Sequence, residues 1–292
     1  MWDDIGAAIG KTLKCDVTVD KIEPISGSDV TRAYCLHSGT QRYFVKLDNR
    51  DNLAMFEAEA LNLDILNCRH DLIVPEVICF GITQQHSFLV TNYIAMHRSP
   101  TPQGTVNFAQ LGEVLANLHS ENQQPEFGWP EDNFIGATRQ INTYDDSWAR
   151  FFSEYRIKYQ LQLFARKADG LNNDQICAMC RDILCDHQPI PSLVHGDLWS
   201  GNIGFTAEYP CLFDPACYYG DREVDIAMSE LFGRFDDAFY QSYHAIAPLD
   251  SGYEQRKLVY NFYHILNHAN MFGGVYVDQV FTFIKQIQKL NN

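Results

Sequence analysis

The sequence predicts an α+β fold of two lobes, a small antiparallel sheet followed by a larger, mainly helical part. Two observations carry this reading. Short β-forming runs separated by turn residues fill the first hundred positions, and helical periodicities dominate after Ser99-Pro100-Thr101-Pro102-Gln103-Gly104. Size agrees: 292 residues, 46% of them hydrophobic and 13% aromatic, can bury one large domain or two lobes. The division expected is 1–95 for the first lobe and 96–292 for the second, with a linker near 91–104.

In chain order, Val17-Thr18-Val19, Ala33-Tyr34-Cys35-Leu36, Arg42-Tyr43-Phe44-Val45-Lys46, Val77-Ile78-Cys79-Phe80 and Ser87-Phe88-Leu89-Val90 read as strands. Turn residues such as Ser26-Gly27-Ser28-Asp29 and His37-Ser38-Gly39 separate them. One helix interrupts the sheet over 53–66, with Phe56, Leu63 and Leu66 near helical spacing. In the second lobe, Phe108, Leu111, Leu115 and Leu118 form a core-facing stripe. Further helices are expected over 148–168, 173–185, 222–231, 236–246, 253–271 and 277–290.

A net charge of −15 argues against a nucleic-acid partner, which requires clustered Lys and Arg. No apolar run approaches the ~20 residues of a membrane span. The start Met1-Trp2-Asp3-Asp4 lacks the basic and apolar regions of a signal peptide. A cytoplasmic monomer with reduced thiols is the expectation, because the nine cysteines are scattered and odd in number. Cys177, Cys180 and Cys185 with His187 lack a second CxxC and read as buried thiols rather than a zinc site.

The chemistry-bearing residues begin at His195-Gly196-Asp197-Leu198-Trp199-Ser200-Gly201-Asn202, behind the apolar Leu193-Val194. An Asp with an Asn five residues later is the spacing by which phosphoryl transfer orients a hydroxyl and holds a metal: Asp197 as base, Asn202 as Mg²⁺ ligand. Asp214, after the strand-like Cys211-Leu212-Phe213 and before Pro215, is the second metal ligand. Lys46 closes a strand pattern and would reach the α- and β-phosphates of ATP, held by Glu59 on the following helix; Glu57 points elsewhere. Ser26, Gly27 and Ser28 would cover the phosphates through backbone N–H groups and hydroxyls, although the segment does not match G-x-G-x-x-G. No Walker A pattern exists in the chain. Asp225, opening a helix after Asp221-Arg222-Glu223-Val224, reads as structural, accepting backbone N–H groups from the His195 loop.

These residues resemble the kinase-like small-molecule phosphotransferases, among them aminoglycoside phosphotransferases and choline kinases. Within that group the chain is similar to the fructosamine (ketosamine) kinases. The resemblance runs through the His195–Asn202 loop and Phe213-Asp214-Pro215-Ala216-Cys217-Tyr218-Tyr219-Gly220-Asp221-Arg222-Glu223-Val224-Asp225. It extends to Asp132-Asn133-Phe134-Ile135-Gly136 with Gln140, Asn142, Asp146-Ser147-Trp148 and Phe151-Phe152, and to His268-Ala269-Asn270-Met271-Phe272-Gly273-Gly274.

The resemblance implies a bilobal protein-kinase-like fold and ATP- and Mg²⁺-dependent phosphorylation of a ketosamine 3-hydroxyl, on a small amine or a protein lysine. The product then breaks down and frees the amine. It further implies Trp199, Asp221 and Glu223 as substrate contacts and Asn92, Tyr93 and Ile94 as the adenine hinge. Asp29 stands where many relatives carry a small residue or a Cys. Two competing readings are an aminoglycoside, choline or other small-alcohol kinase and a kinase-shaped binding protein without turnover.

Overall fold

The computed structural model describes residues 1–25, 31–100, 106–164 and 171–291. Helix α1 (Trp2–Leu13) precedes strands β1 (Lys21–Ile25), β2 (Arg32–Ser38) and β3 (Gln41–Asn49); helix α2 (Leu53–Leu66) leads to β4 (Val77–Ile82) and β5 (His86–Asn92). Then follow α3 (Phe108–Glu121), the hairpin β6 (Asn133–Ile135) and β7 (Thr138–Gln140), and α4 (Trp148–Phe151). A π-helical stretch, Phe152–Lys158, continues α4 into α5 (Tyr159–Phe164), and α6 (Asn173–Leu184) comes next. Short strands β8 (Ser192–Val194), β9 (Ile203–Phe205), β10 (Pro210–Leu212) and β11 (Tyr218–Gly220) lead to α7 (Glu223–Leu231), α8 (Asp237–Ile246), α9 (Tyr253–Met271) and α10 (Val275–Leu290).

The chain forms two compact units: Met1–Asn107 with Ile203–Pro215, and Phe108–Asn202 with Ala216–Asn292. The first unit therefore takes in a hairpin that sequence order assigns to the second lobe. Backbone pairing explains it. Ile73 and Leu212 exchange partners across β10 (Ile73 N to Pro210 O 2.9 Å, Leu212 N to Ile73 O 3.0 Å), and His97 and Phe205 pair at 2.9 and 2.8 Å.

In the first unit five antiparallel strands run in the order β1-β2-β3-β5-β4. Alternation gives β2 and β3 two faces. Leu36, Tyr43, Val45, Leu47, Phe88 and Val90 meet Ile5 and Ile9 of α1 in the core, while Ala33, Cys35, His37 and Lys46 lie on the other face. Full burial of each such aliphatic or aromatic side chain stabilises by about 1.5–3 kcal/mol. Helix α1 was not anticipated, because Gly6 and Gly10 dilute its helical propensity. Val17-Thr18-Val19 is no strand: Val17 and Val19 pack against the sheet core without joining a ladder.

In the second unit α3 packs on α8. Gly112 makes the approach possible, since a Cβ there would stand 2.2 Å from Phe239 O and 3.1 Å from Tyr243 N. Gly112→Ala sets a propensity gain of about 1 kcal/mol against overpacking of ~1–3 kcal/mol or more. The clash is with backbone and cannot rotate away, so a lowered Tm is expected in a thermal melt; a raised Tm would contradict the packing. The helix expected over 148–168 is interrupted by its π-helical stretch, where Arg156 is fully buried. Its guanidinium lies 4.2 Å from the Tyr218 ring centre and 4.7 Å from that of Phe151, and it donates to Asn142 Oδ1 at 2.7 Å.

Candidate active site

In the first unit, β3 carries Lys46 inward. Its Nζ donates to Glu59 Oε1 on α2 at 2.6 Å and to Asp214 Oδ1 at 2.7 Å. Burial alone would weaken the ammonium, but the charges of Asp214 and Glu59 outweigh it and hold Lys46 protonated above the usual lysine range. Burial pushes the Glu59 carboxyl up; Lys46 opposes the rise and Asp214 adds to it. Glu57, one residue off the inward face, is exposed.

Asp214 follows β10 with φ 56°, in the left-handed region. That conformation costs a non-glycine residue on the order of 1–3 kcal/mol. The turn is fixed on its far side, where Asn62 Nδ2 of α2 donates to Pro215 O at 3.2 Å. Asn92 N–H and Oδ1 are both engaged with Glu76, at 3.0 and 2.9 Å, which pins the chain just before Tyr93 and Ile94. The Arg42 guanidinium lies over the Tyr93 ring at 4.3 Å. Ser26, Gly27 and Ser28 lie outside the described residues.

In the second unit, β8 pairs with β11 and delivers the His195–Asn202 loop. Asp225 of α7 accepts from His195 N at 2.7 Å and Gly196 N at 2.9 Å, as its place at a helix start suggested. His119 Nε2 meets Asp225 Oδ2 at 3.1 Å, and His119 Nδ1 meets Tyr243 OH at 2.8 Å. Burial would raise the Asp225 carboxyl, but His119 and the backbone donors hold it below the usual carboxylate range. Gly196 has φ 80°, and a Cβ there would stand 2.1 Å from Ala216 O, so only glycine lets the loop reverse here. Beyond it, Asn202 Nδ2 donates to Asp197 O at 2.9 Å and to Asp197 Oδ2 at 3.1 Å, closing the loop on the half-buried Asp197.

Trp199 lies over Gly201, its ring 2.2 Å from where a Cβ would be. It meets Phe232 edge-on at 6.1 Å. Phe232 in turn stacks near His268 at 4.6 Å, and His268 touches Tyr276 at 5.0 Å and Phe272 at 5.6 Å. Sequence reasoning marked the His268–Gly274 run without a role and passed over Phe232 and Tyr276. The signal that could have found them is the excess of aromatics at helix ends, where no core stripe needs them.

Two expectations are corrected. Asp221 and Glu223 are each about 1% exposed and turned to internal partners. Asp221 Oδ2 faces His187 Nε2 at 2.8 Å and accepts from Tyr260 OH at 2.6 Å; Arg256 grips both Glu223 oxygens at 2.7 Å. Their acceptor atoms are used inside the unit, so they position α7 rather than meet substrate. Among the candidate zinc residues, Cys177 and Cys180 are buried but Cys185 is exposed, and His187 belongs to Asp221.

The segment around Asn133, Gln140 and Asn142 is a buried amide network. Asn133 Nδ2 donates to Cys217 O at 2.7 Å, Gln140 Nε2 to Ala216 O at 3.1 Å, and Tyr263 OH to Gln140 Oε1 at 2.8 Å. It buttresses the backbone just after Asp214-Pro215.

A strand lysine held by a helix carboxylate, a strand-end aspartate and an anchored Asp-x4-Asn loop, on an α+β protein-kinase-like fold, define a phosphotransferase. The family model for fructosamine kinase matches residues 1–290. A probable ketoamine kinase of Vibrio parahaemolyticus is 43% identical, over 98% of this chain and 99% of its own. The crystal structure of a provisionally named fructosamine-3-kinase from Haemophilus somnus 129PT superposes with TM-score 0.91 at 35% identity, covering 98% of this chain and 97% of that one. The chain belongs to the fructosamine kinase family. A choline kinase from Streptococcus pneumoniae shares the fold, with TM-score 0.65 at 16% identity over 99% of both chains. Among the described residues no helix is long and apolar enough to cross a membrane.

Proposed function

We propose that this kinase transfers phosphate from ATP to the 3-hydroxyl of ketosamines, adducts of fructose, ribulose or erythrulose with amines or protein lysines, and so initiates repair of the glycated amine. The observation that carries the acceptor class is the aromatic group Trp199, Phe232, His268 and Tyr276, which begins inside the Asp197 loop. Aromatic faces suit the apolar C–H face of a sugar and a neighbouring ammonium. The names of the relatives as ketoamine kinases support the same class.

Asp197 is the base that takes the hydroxyl proton, and the loop geometry fixes its carboxylate through Asn202. Lys46, kept charged and oriented by Glu59, neutralises the α- and β-phosphates. Tyr93 and Ile94 supply the adenine edge, held in place by the bonds between Asn92 and Glu76. The residues fit Mg²⁺. The Asn202 amide nitrogen is spent on Asp197, which leaves its oxygen as the hard donor, and Asp214 is a half-exposed carboxylate. A bound Mg²⁺ would offset charge on the transferred phosphoryl group.

The test is ADP release with ATP and Mg²⁺ across fructose-, ribulose- and erythrulose-lysine, choline and an aminoglycoside, with ³¹P NMR of the product. Turnover confined to the ketosamines, giving a 3-phosphate, is expected. Turnover with choline or the aminoglycoside and none with any ketosamine would overturn the reading.

A further inference from the structure

We propose that Glu23, Cys35 and His37 form a binding site for a thiophilic divalent metal ion of the Zn²⁺ class on the sheet of the first unit. The strand register builds it. In the β1–β2 ladder Glu23 pairs with Cys35 and Lys21 with His37, so Glu23 and Cys35 stand side by side and His37 follows two residues on, on the same face. Cys35 Sγ lies 3.4 Å from His37 Nε2, and that same nitrogen lies 2.7 Å from Glu23 Oε2. All three donor atoms fall within 4.8 Å of one another.

A tetrahedral Zn²⁺ with bonds of roughly 2.0–2.3 Å holds its donors roughly 3.3–3.6 Å apart. The sulfur and nitrogen already have that spacing; the nitrogen and carboxylate need to open by roughly 0.6 Å, within side-chain rotation. One sulfur, one imidazole and one carboxylate select a borderline ion such as Zn²⁺ or Co²⁺ over Mg²⁺ or Ca²⁺. Lys21 donates to the other Glu23 oxygen at 2.6 Å and so orients the carboxylate from outside.

The geometry is not that of a nucleophilic relay. A relay uses the two ring nitrogens for different partners, base toward the thiol and orienter behind. Here one nitrogen meets both, so the three donor atoms converge on one point once the Nε2 proton gives way to the metal. Access is open: Cys35 is buried at 5% exposure, but the Glu23 and His37 side chains are 45% and 24% exposed. A fourth position faces solvent for water; binding releases the Cys35 thiol proton to solvent and moves the His37 ring proton from Nε2 to Nδ1. In the other histidine–carboxylate cluster, His187 with Glu223 and Asp250, Arg256 occupies both Glu223 oxygens, whereas Lys21 takes only one oxygen of Glu23 and leaves the other to a metal.

The experiment is a Co²⁺ titration of the full chain, stripped with chelator and kept reduced. One Co²⁺ per chain is expected, with tetrahedral visible bands, a thiolate-to-cobalt charge-transfer band in the near ultraviolet, and displacement by Zn²⁺ but not Mg²⁺. Cys35→Ser should abolish the charge-transfer band and His37→Ala should weaken binding at least tenfold, whereas Cys185→Ser should leave both unchanged. Should Cys35→Ser fail to fold, Glu23→Gln at the half-exposed edge replaces it, with at least tenfold weaker binding expected. No charge-transfer band in the wild type, a band that survives Cys35→Ser, or unchanged affinity in Glu23→Gln would overturn the site.

Discussion

Asp197→Asn is expected to lower kcat by about 10³-fold, within the 10²–10⁴ that a positioned general base contributes. The substitution keeps the size and shape of the side chain. The bond from Asn202 Nδ2 to the main-chain oxygen of residue 197, 2.9 Å in the wild type, does not involve the substituted side chain, so the loop stays closed. What disappears is the charge that accepts the hydroxyl proton, about 4 kcal/mol at the transition state. Lys46 is held by Glu59 and Asp214 and depends on neither Asp197 oxygen, so KM for ATP is expected to change little. ADP release with a saturating ketosamine measures both constants. A kcat within tenfold of wild type would remove Asp197 from the role of base.

The closed loop itself was legible because its residues stand at a local spacing. Asp197 and Asn202 share one loop, and their hydrogen bond is a consequence of five residues of chain. Lys46 and Glu59 were legible for a related reason: strand, turn and helix follow one another, and helical spacing puts Glu59, not Glu57, on the inward face. Helices α2 and α9 were read with their bounds.

Asp221 and Glu223 were misjudged because nothing local distinguishes a buried acid from a presented one. Their partners stand 34, 39 and 33 residues away, at His187, Tyr260 and Arg256. The same holds for the hairpin of β9 and β10, whose membership in the first unit is decided by main-chain bonds to Ile73 and His97 that carry no side-chain signature. Trp199 was found by its loop, but Phe232, which it meets, ends α7, and the aromatics around Phe232 come from α9 and α10.

The other large effect is expected at Asp225, the acid that spans both kinds of information. Its position opening α7 is local, whereas its ties to His195 and Gly196 cross 30 and 29 residues and that to His119 crosses 106. Asp225→Ala leaves two backbone N–H groups and one imidazole buried without their acceptor. Removing one partner of such a buried charged cluster costs about 3–5 kcal/mol, a large share of the ~5–15 kcal/mol that holds a typical fold. A fall in Tm on the order of 10 °C follows for a chain of this size.

Asp225→Asn should fall between, since its oxygen can accept one N–H while its own NH₂ faces the other. Both variants should also lose kcat while still folded, because His195 and Gly196 set the direction in which Asp197 points. The pH dependence gives an independent check. A carboxylate held below its unfolded pKa stabilises fully above about pH 4 and loses that contribution as pH falls through the folded value. The gap in Tm between wild type and Asp225→Ala should therefore be widest near neutrality and shrink below about pH 4. A gap that is constant with pH, or equal Tm values at neutral pH, would mean that the ionised carboxylate does not hold the loop.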